Sequence, residues 1–149
     1  MSLAQWLYRG GRPNRLASVL NRGTAALYAL GLLPNYLVAL EVVGRRSGRA
    51  IKLPMVMAIV DEQRYLVSML GENVEWVRNV RAAGGRAVLR HGRREEVRLE
   101  EVSVEMRALV LKAYLRRAPG ARPHVAVHKD APLSEFERIA AQIPVFRVI

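Results

Sequence analysis

The chain has no cysteine. That absence excludes disulfides, thiolate metal sites and a cysteine nucleophile, and it fits a reducing cytoplasm. Aromatic residues are few, with two Trp, five Tyr and two Phe. They do not interleave with the basic residues in the stripe that single-strand nucleic-acid binders use, so no nucleic-acid partner is expected. No apolar run is long enough for a membrane span. Residues 24–40 carry no charge, but Pro34-Asn35 breaks them, and spanning takes about 20 uninterrupted apolar residues. A signal peptide is not expected either, because Arg9, Arg12, Arg15 and Arg22 run through the N-terminal region and no short apolar core precedes a cleavage site. The GxxxxGK[ST] phosphate loop is absent, as are internal repeats and low-complexity segments.

What is present is one domain's length, 149 residues, enough to bury roughly 70% of the surface that the unfolded chain exposes. The formal charge is +11. Such a charge has a bland meaning, a soluble basic surface, and sharper ones: nucleic acid, an anionic membrane face or a phosphate-bearing ligand. Among the basic residues only Lys52, Lys112 and Lys129 are lysines. The planar arginine fork suits phosphate and carboxylate, although a GC-rich genome also favours arginine.

Taken in order, residues 2–9 form a short helix with Leu3, Trp6 and Leu7 on one face, broken by Gly10-Gly11. Pro13 opens a second helix in which Leu16, Val19, Leu20, Leu27 and Leu30 recur, and Gly31 and Pro34 end it. Residues 1–35 thus read as a helical extension of a single domain spanning 1–149. This extension either packs on the core or rests on a membrane surface as a basic amphipathic segment. Residues 36–43 read as a buried strand. Ile51, Leu53, Met55, Met57 and Ile59 alternate down one face of a second strand, with Pro54 marking an edge or bulge. Asp61-Glu62-Gln63 is a turn, and 64–69 a third strand. Asn73 caps a helix to about Ala83 that Gly84-Gly85 ends. Residues 87–90 and 95–102 form a hairpin about an exposed His91-Gly92 turn. A helix over 104–115 has Met106, Leu109, Val110 and Ala113 on its apolar side. Ser134 and Glu137 make a capping box, and 144–149 a last strand. The class is α+β with a mainly antiparallel sheet, closed or split into a barrel, with N-terminal and peripheral helices.

Two segments carry possible chemistry. Gly44-Arg45-Arg46-Ser47-Gly48-Arg49, with Lys52 behind it, places four cations in nine residues with no acid. Two glycines let the backbone turn tightly and aim N–H groups at an anion, and Ser47 adds a hydroxyl. It is a phosphate cradle or an ordinary solvated basic hairpin. In the second segment, Trp76, Asn79 and Val80 share a helical face. They wall a planar ring or simply enter the core. His124 and His128 make a poor metal pair, and no metal is expected. Glu95-Glu96 and Glu100-Glu101 read as a solvated strand edge rather than a catalytic carboxylate pair.

The basic turn, the strand with Pro54, the run Trp76-Val77-Arg78-Asn79-Val80-Arg81-Ala82, the strand 86–91 and the closing Pro144-Val145-Phe146-Arg147-Val148 together resemble the deazaflavin (F420)-dependent nitroreductase family. The likeness covers roughly residues 36–149. It implies a split β-barrel of flavin-reductase type and an F420-dependent oxidoreductase. Such an enzyme transfers a hydride from reduced coenzyme F420 to an electron-poor small molecule: a quinone, an enone, an unsaturated lipid or a nitroarene. By position, the resemblance assigns Arg45, Arg46, Ser47 and Gly48 to the cofactor phosphate. Pro54, Met55 and Val56 pass under the ring, and Trp76 and Asn79 close the other side. Ala50 and Ile51 stand where the family often has Pro and Arg, with Lys52 offering a charge on the strand's other face. No tyrosine lies in 116–126 and only Tyr114 is near, which favours a quinone-like or lipid-like acceptor over a nitroimidazole. No proton donor is identified. The rival reading is a non-catalytic F420, flavin or fatty-ligand carrier on the same barrel. The expected setting is the cytoplasm, with peripheral membrane contact through the N-terminal helices.

Overall fold

The computed structural model describes residues 15–117 and 129–149. The expected helix over 2–9, the onset at Pro13, the loop over 119–123 and the pair His124 and His128 lie outside them. Helix α1 (Arg15–Ala29) is followed by strands β1 (Leu37–Val43), β2 (Ala50–Val56), β3 (Ala58–Val60) and β4 (Gln63–Val67). Then come α2 (Glu75–Ala82), β5 (Arg86–Arg90), β6 (Arg94–Glu101), a 3₁₀ turn (Val104–Met106) and α3 (Arg107–Arg117). After the second gap, α4 (Leu133–Ile139), a 3₁₀ turn (Ala140–Gln142) and β7 (Val145–Val148) complete the order.

The sheet runs β2-β1-β5-β6-β7-β4-β3, and every pairing is antiparallel. Only Met57 separates β2 from β3, and its N–H donates to the Tyr36 carbonyl at 2.7 Å. The two ends of the sheet are therefore halves of one bent strand, and the sheet curls into a split barrel of the flavin-reductase type. Pro54 lies on β2, at one end of the strand order, where a missing N–H is best tolerated. The β3–β4 turn places Asp61 and Glu62 at φ 49° and 67°, as a two-residue hairpin turn of matching twist requires.

Two apolar clusters hold the layers together. Inside the barrel, Leu40, Val42, Met55, Leu66, Leu89 and Phe146 meet Val77 and Val80 of α2. On the far side, α3 and α4 bring Leu111, Tyr114, Leu115 and Phe136 against Ala58 and Val145. The C-terminal end of α1 docks on the β5–β6 turn through two glycines. Gly31 has φ +75°, and a Cβ there would stand 2.5 Å from the Gly92 nitrogen, which itself donates to the Ala29 carbonyl at 2.8 Å.

Several local expectations are corrected. On α3 the expected Val110 is buried and Ala113 packs against the second cluster, but Arg107, Ala108, Leu111, Tyr114 and Leu115 are buried with them, while Met106 and Leu109 are 64% and 58% exposed. Arg107 sets this rotation. It is 5% exposed, and its guanidinium donates to the carbonyls of Val102 at 2.9 Å and of Ala140 and Ile143 at 3.1 Å each. On α1 Ala25 is buried while Leu27, and Leu30 just beyond the helix, face outward. Neither expected side-chain cap forms. Val74 and Pro132 occupy the N-cap positions, Ser134 falls inside α4, and the Asn73 oxygen accepts from Arg78 instead. His91 is half-buried, with Nδ1 2.9 Å from the Leu37 carbonyl oxygen. β6 is not an edge but lies between β5 and β7, and two of its glutamates pair with arginines of other strands, Glu95 with Arg64 and Glu100 with Arg147. Among the described residues no helix is long and apolar enough to cross a membrane.

Candidate cofactor site

The β1–β2 turn, residues 44–49, is built from its own backbone. The Gly44 N–H donates to the Arg49 carbonyl at 2.8 Å and the Gly48 N–H to the Gly44 carbonyl at 2.9 Å. Gly48 takes φ +70°, in the region that glycine favours. Ser47 Oγ accepts from the Arg49 N–H at 3.2 Å, so this hydroxyl shapes the turn. The backbone N–H groups of Arg46 and Ser47 have no partner among the described residues.

The turn rests on α2. Asn79, 3% exposed, accepts twice through Oδ1, from the Arg45 backbone N–H at 3.1 Å and from Arg45 Nη1 at 2.8 Å. The same Nη1 donates to Glu75 Oε2 at 2.8 Å. Two donors converging on one atom identify it as the amide oxygen. The basic turn and the tryptophan-bearing helix, 34 residues apart in sequence, are thus joined. Sequence reading missed Glu75. It precedes Asn79 by one helical turn, and that spacing alone puts both acceptors on one side of α2.

The remaining predicted residues divide by face. Met55 points into the barrel and is buried there, and Trp76 packs against the same cluster. The indole lies 5.6 Å from the Phe146 ring, tilted by 57°, an aromatic contact that sequence reading did not anticipate. Lys52 pairs in register with Glu41, and Pro54 with Ala39, so both lie on the outer face. Val56 joins the second cluster, under the helices. The structure therefore brings the turn carrying Arg45, Arg46, Ser47 and Gly48 onto the helix that carries Trp76 and Asn79. Met55 lies inside the barrel opposite Val38, at the end of the β1–β2 hairpin away from that turn, and Lys52, Pro54 and Val56 lie on the other side of β2.

Charge at this end is uneven. Arg45 is held by Glu75, which also lies 3.7 Å from Arg78. Arg46 and Arg49 are exposed, and among the described residues no acid pairs with either. Farther along α2, Arg81 bridges Glu72 and Glu101, and its hydrogen bond holds the Glu72 carboxyl below the ordinary range. Tyr114 is buried, its hydroxyl 3.7 Å from Met69 Sδ, and burial raises its pKa. It is packed into the second cluster.

The curled antiparallel sheet, with its basic turn braced on an indole-bearing helix, is a split barrel of the flavin-reductase-like fold. The chain belongs to the F420H(2)-dependent quinone reductase family, whose model matches residues 17–131. It is thus an F420H2-dependent reductase, and its cofactor is reduced F420. No curated protein matches the sequence. Similar solved structures share the fold. One, an F420-H2 dependent reductase (FDR-A), has a TM-score of 0.52 at 18% identity over 78% of this chain and 96% of that one. Another is described as a domain-swapped dimer, with a TM-score of 0.56 at 18% identity over 99% and 100%. The conserved hypothetical protein Rv2991 from Mycobacterium tuberculosis has a TM-score of 0.57 at 16% identity over 83% and 78%.

Proposed function

We propose that the acceptor is a quinone-like molecule and that the cofactor's charged end lies on residues 45–48. The residues present fit such a group. Arg46 and Arg49 lack acidic partners among the described residues, two turn N–H groups are unoccupied, and nothing stands within 4 Å of a Cβ built on Gly48. An anion approaching there meets charge and donors without steric cost. When bound, reduced F420 supplies a hydride, and the protein's part is binding, orientation and exclusion of water.

In this reading Arg46 and the N–H groups of Arg46 and Ser47 hold the phosphate. Arg45 acts through the backbone, keeping the turn on α2. Met55 and Trp76 line the apolar side, and the Trp76 ring is held in place by Phe146. Two-electron reduction of a quinone takes one hydride and one proton to give the hydroquinone. No side chain is assigned to the proton, which comes from solvent. The family description and the burial of Tyr114, the tyrosine nearest the C-terminal third, favour a quinone over a nitroarene, an enone or an unsaturated lipid.

The observation that carries the reading is the Arg45–Asn79–Glu75 contact, which leaves Arg46 beside the helix of Trp76. Its test is titration of the protein with reduced F420, followed by fluorescence, then turnover with menadione. Binding in the micromolar range with catalytic oxidation of the cofactor is expected. Binding without turnover would leave a carrier, and absence of binding would remove the reading.

A further inference from the structure

A second group of cations is left over by the cofactor reading. In the β5–β6 register Arg86 lies opposite Arg98, Val88 opposite Glu96, and Arg90 opposite Arg94. Directly opposed residues of an antiparallel pair point to the same face. The alternate positions Ala87, Leu89, Val97 and Leu99 fill the barrel, so these arginines project from its outside. Two of them are neutralised locally. Arg90 Nε lies 2.9 Å from Glu41 Oε2, and Arg94 Nη1 lies 2.9 Å from Glu96 Oε1. Arg86 and Arg98 have no acidic partner among the described residues. Like charges directly opposite in a sheet repel, and of the two opposed arginine pairs Arg86–Arg98 is the one without an acidic partner among the described residues.

Both line a groove of about 460 Å³ on this outer face, together with Arg94 and with Glu41 and Glu96, each already paired with an arginine, and its apolar wall includes Val43, Ala50, Val88 and Ile149. Val43 and Ala50 are the opposed pair that closes the β1–β2 hairpin, so the groove begins where the basic turn ends. We propose that this groove is a second anion site, in which Arg86 and Arg98 together hold one carboxylate or phosphate group. Two guanidinium forks on adjacent strands offer donors to both oxygens of such a group, and its charge relieves their mutual repulsion. The group comes either from a free anion or from the head of an amphiphile whose stem lies on the apolar wall.

Backbone amide NMR of the full chain, at constant ionic strength, tests this with inorganic phosphate, acetate and octanoate as probes. Saturable shifts are expected at the amides of residues 86–88 and 96–98, and they should vanish in both Arg86→Gln and Arg98→Gln. Octanoate saturating at about tenfold lower concentration than acetate assigns the amphiphile head, while equal midpoints assign the free anion. No saturable shift, shifts confined to residues 44–49, or shifts that survive both substitutions would overturn the proposal.

Discussion

Replacing Asn79 with alanine removes the acceptor at the centre of the contact between turn and helix. Two hydrogen bonds are lost, one from the Arg45 guanidinium at 2.8 Å and one from its backbone N–H at 3.1 Å. A hydrogen bond to a charged group contributes about 1.5–3 kcal/mol, and a neutral one about 1 kcal/mol. Arg45 is partly exposed and keeps Glu75 as a partner, so the lower end applies, and the expected cost is about 2–3 kcal/mol. For a chain of this size that lowers Tm by roughly 5–10 °C. A double-mutant cycle with Arg45→Met separates this contact from generic packing loss, with an expected coupling of about 1–2 kcal/mol. Because the turn is then no longer braced, affinity for reduced F420 should fall about tenfold, or about 1.4 kcal/mol, with Arg46 and Arg49 untouched. Calorimetric melting and fluorescence titration of the four proteins measure both quantities. A coupling below about 0.5 kcal/mol together with unchanged cofactor affinity would refute the assignment of Asn79 and Arg45 as the brace.

Arg107→Met should be among the most destabilising single changes, by about 3–5 kcal/mol in guanidinium unfolding, because three carbonyls lose a buried charged donor. Arg107→Lys should not restore it, since one ammonium does not reproduce the fork, and a loss below about 1 kcal/mol for Met would contradict the anchoring role. Stability should also fall in acid through Glu95 and Glu72, whose hydrogen bonds to Arg64 and Arg81 hold their pKa values below the ordinary 4.5. The folded state binds fewer protons there, so this stability is present above 4.5 and is lost as pH falls through the lowered folded values. Both carboxylates are partly exposed, so the effect is small and screened by salt. Arg64→Gln should flatten the dependence of stability on pH between about 3 and 5; equal slopes in variant and wild type would exclude the pair.

What was legible in the chain itself was period and punctuation. A β-prone apolar run marked β1, alternating apolar residues marked β2, glycines marked the turns, and the 3.6-residue period placed Trp76, Asn79 and Val80 on one side of α2, where the structure finds Asn79 and Val80 buried and Trp76 half-buried. These are local properties, set by backbone geometry over a few residues. The spacing of the basic turn and the Trp76 helix was enough to suggest the family and therefore the cofactor. Periodicity found Val110 on the inward side of α3 but not Arg107, because the acceptors that draw Arg107 inside belong to Ala140 and Ile143, 33 and 36 residues away. Nor did it show that β6 sits mid-sheet, since β7 reaches it only after α3 and α4 have intervened. The same holds for the divided fate of β2, with Met55 inside and Val56 under the helices. The residue types and their spacing determined a curled antiparallel fold with a basic turn. The packing of α2 on the β1–β2 turn decided that Arg45 is braced by Asn79 and Glu75 while Arg46 is not, because a charge is neutralised only by what tertiary packing brings within a few ångströms of it.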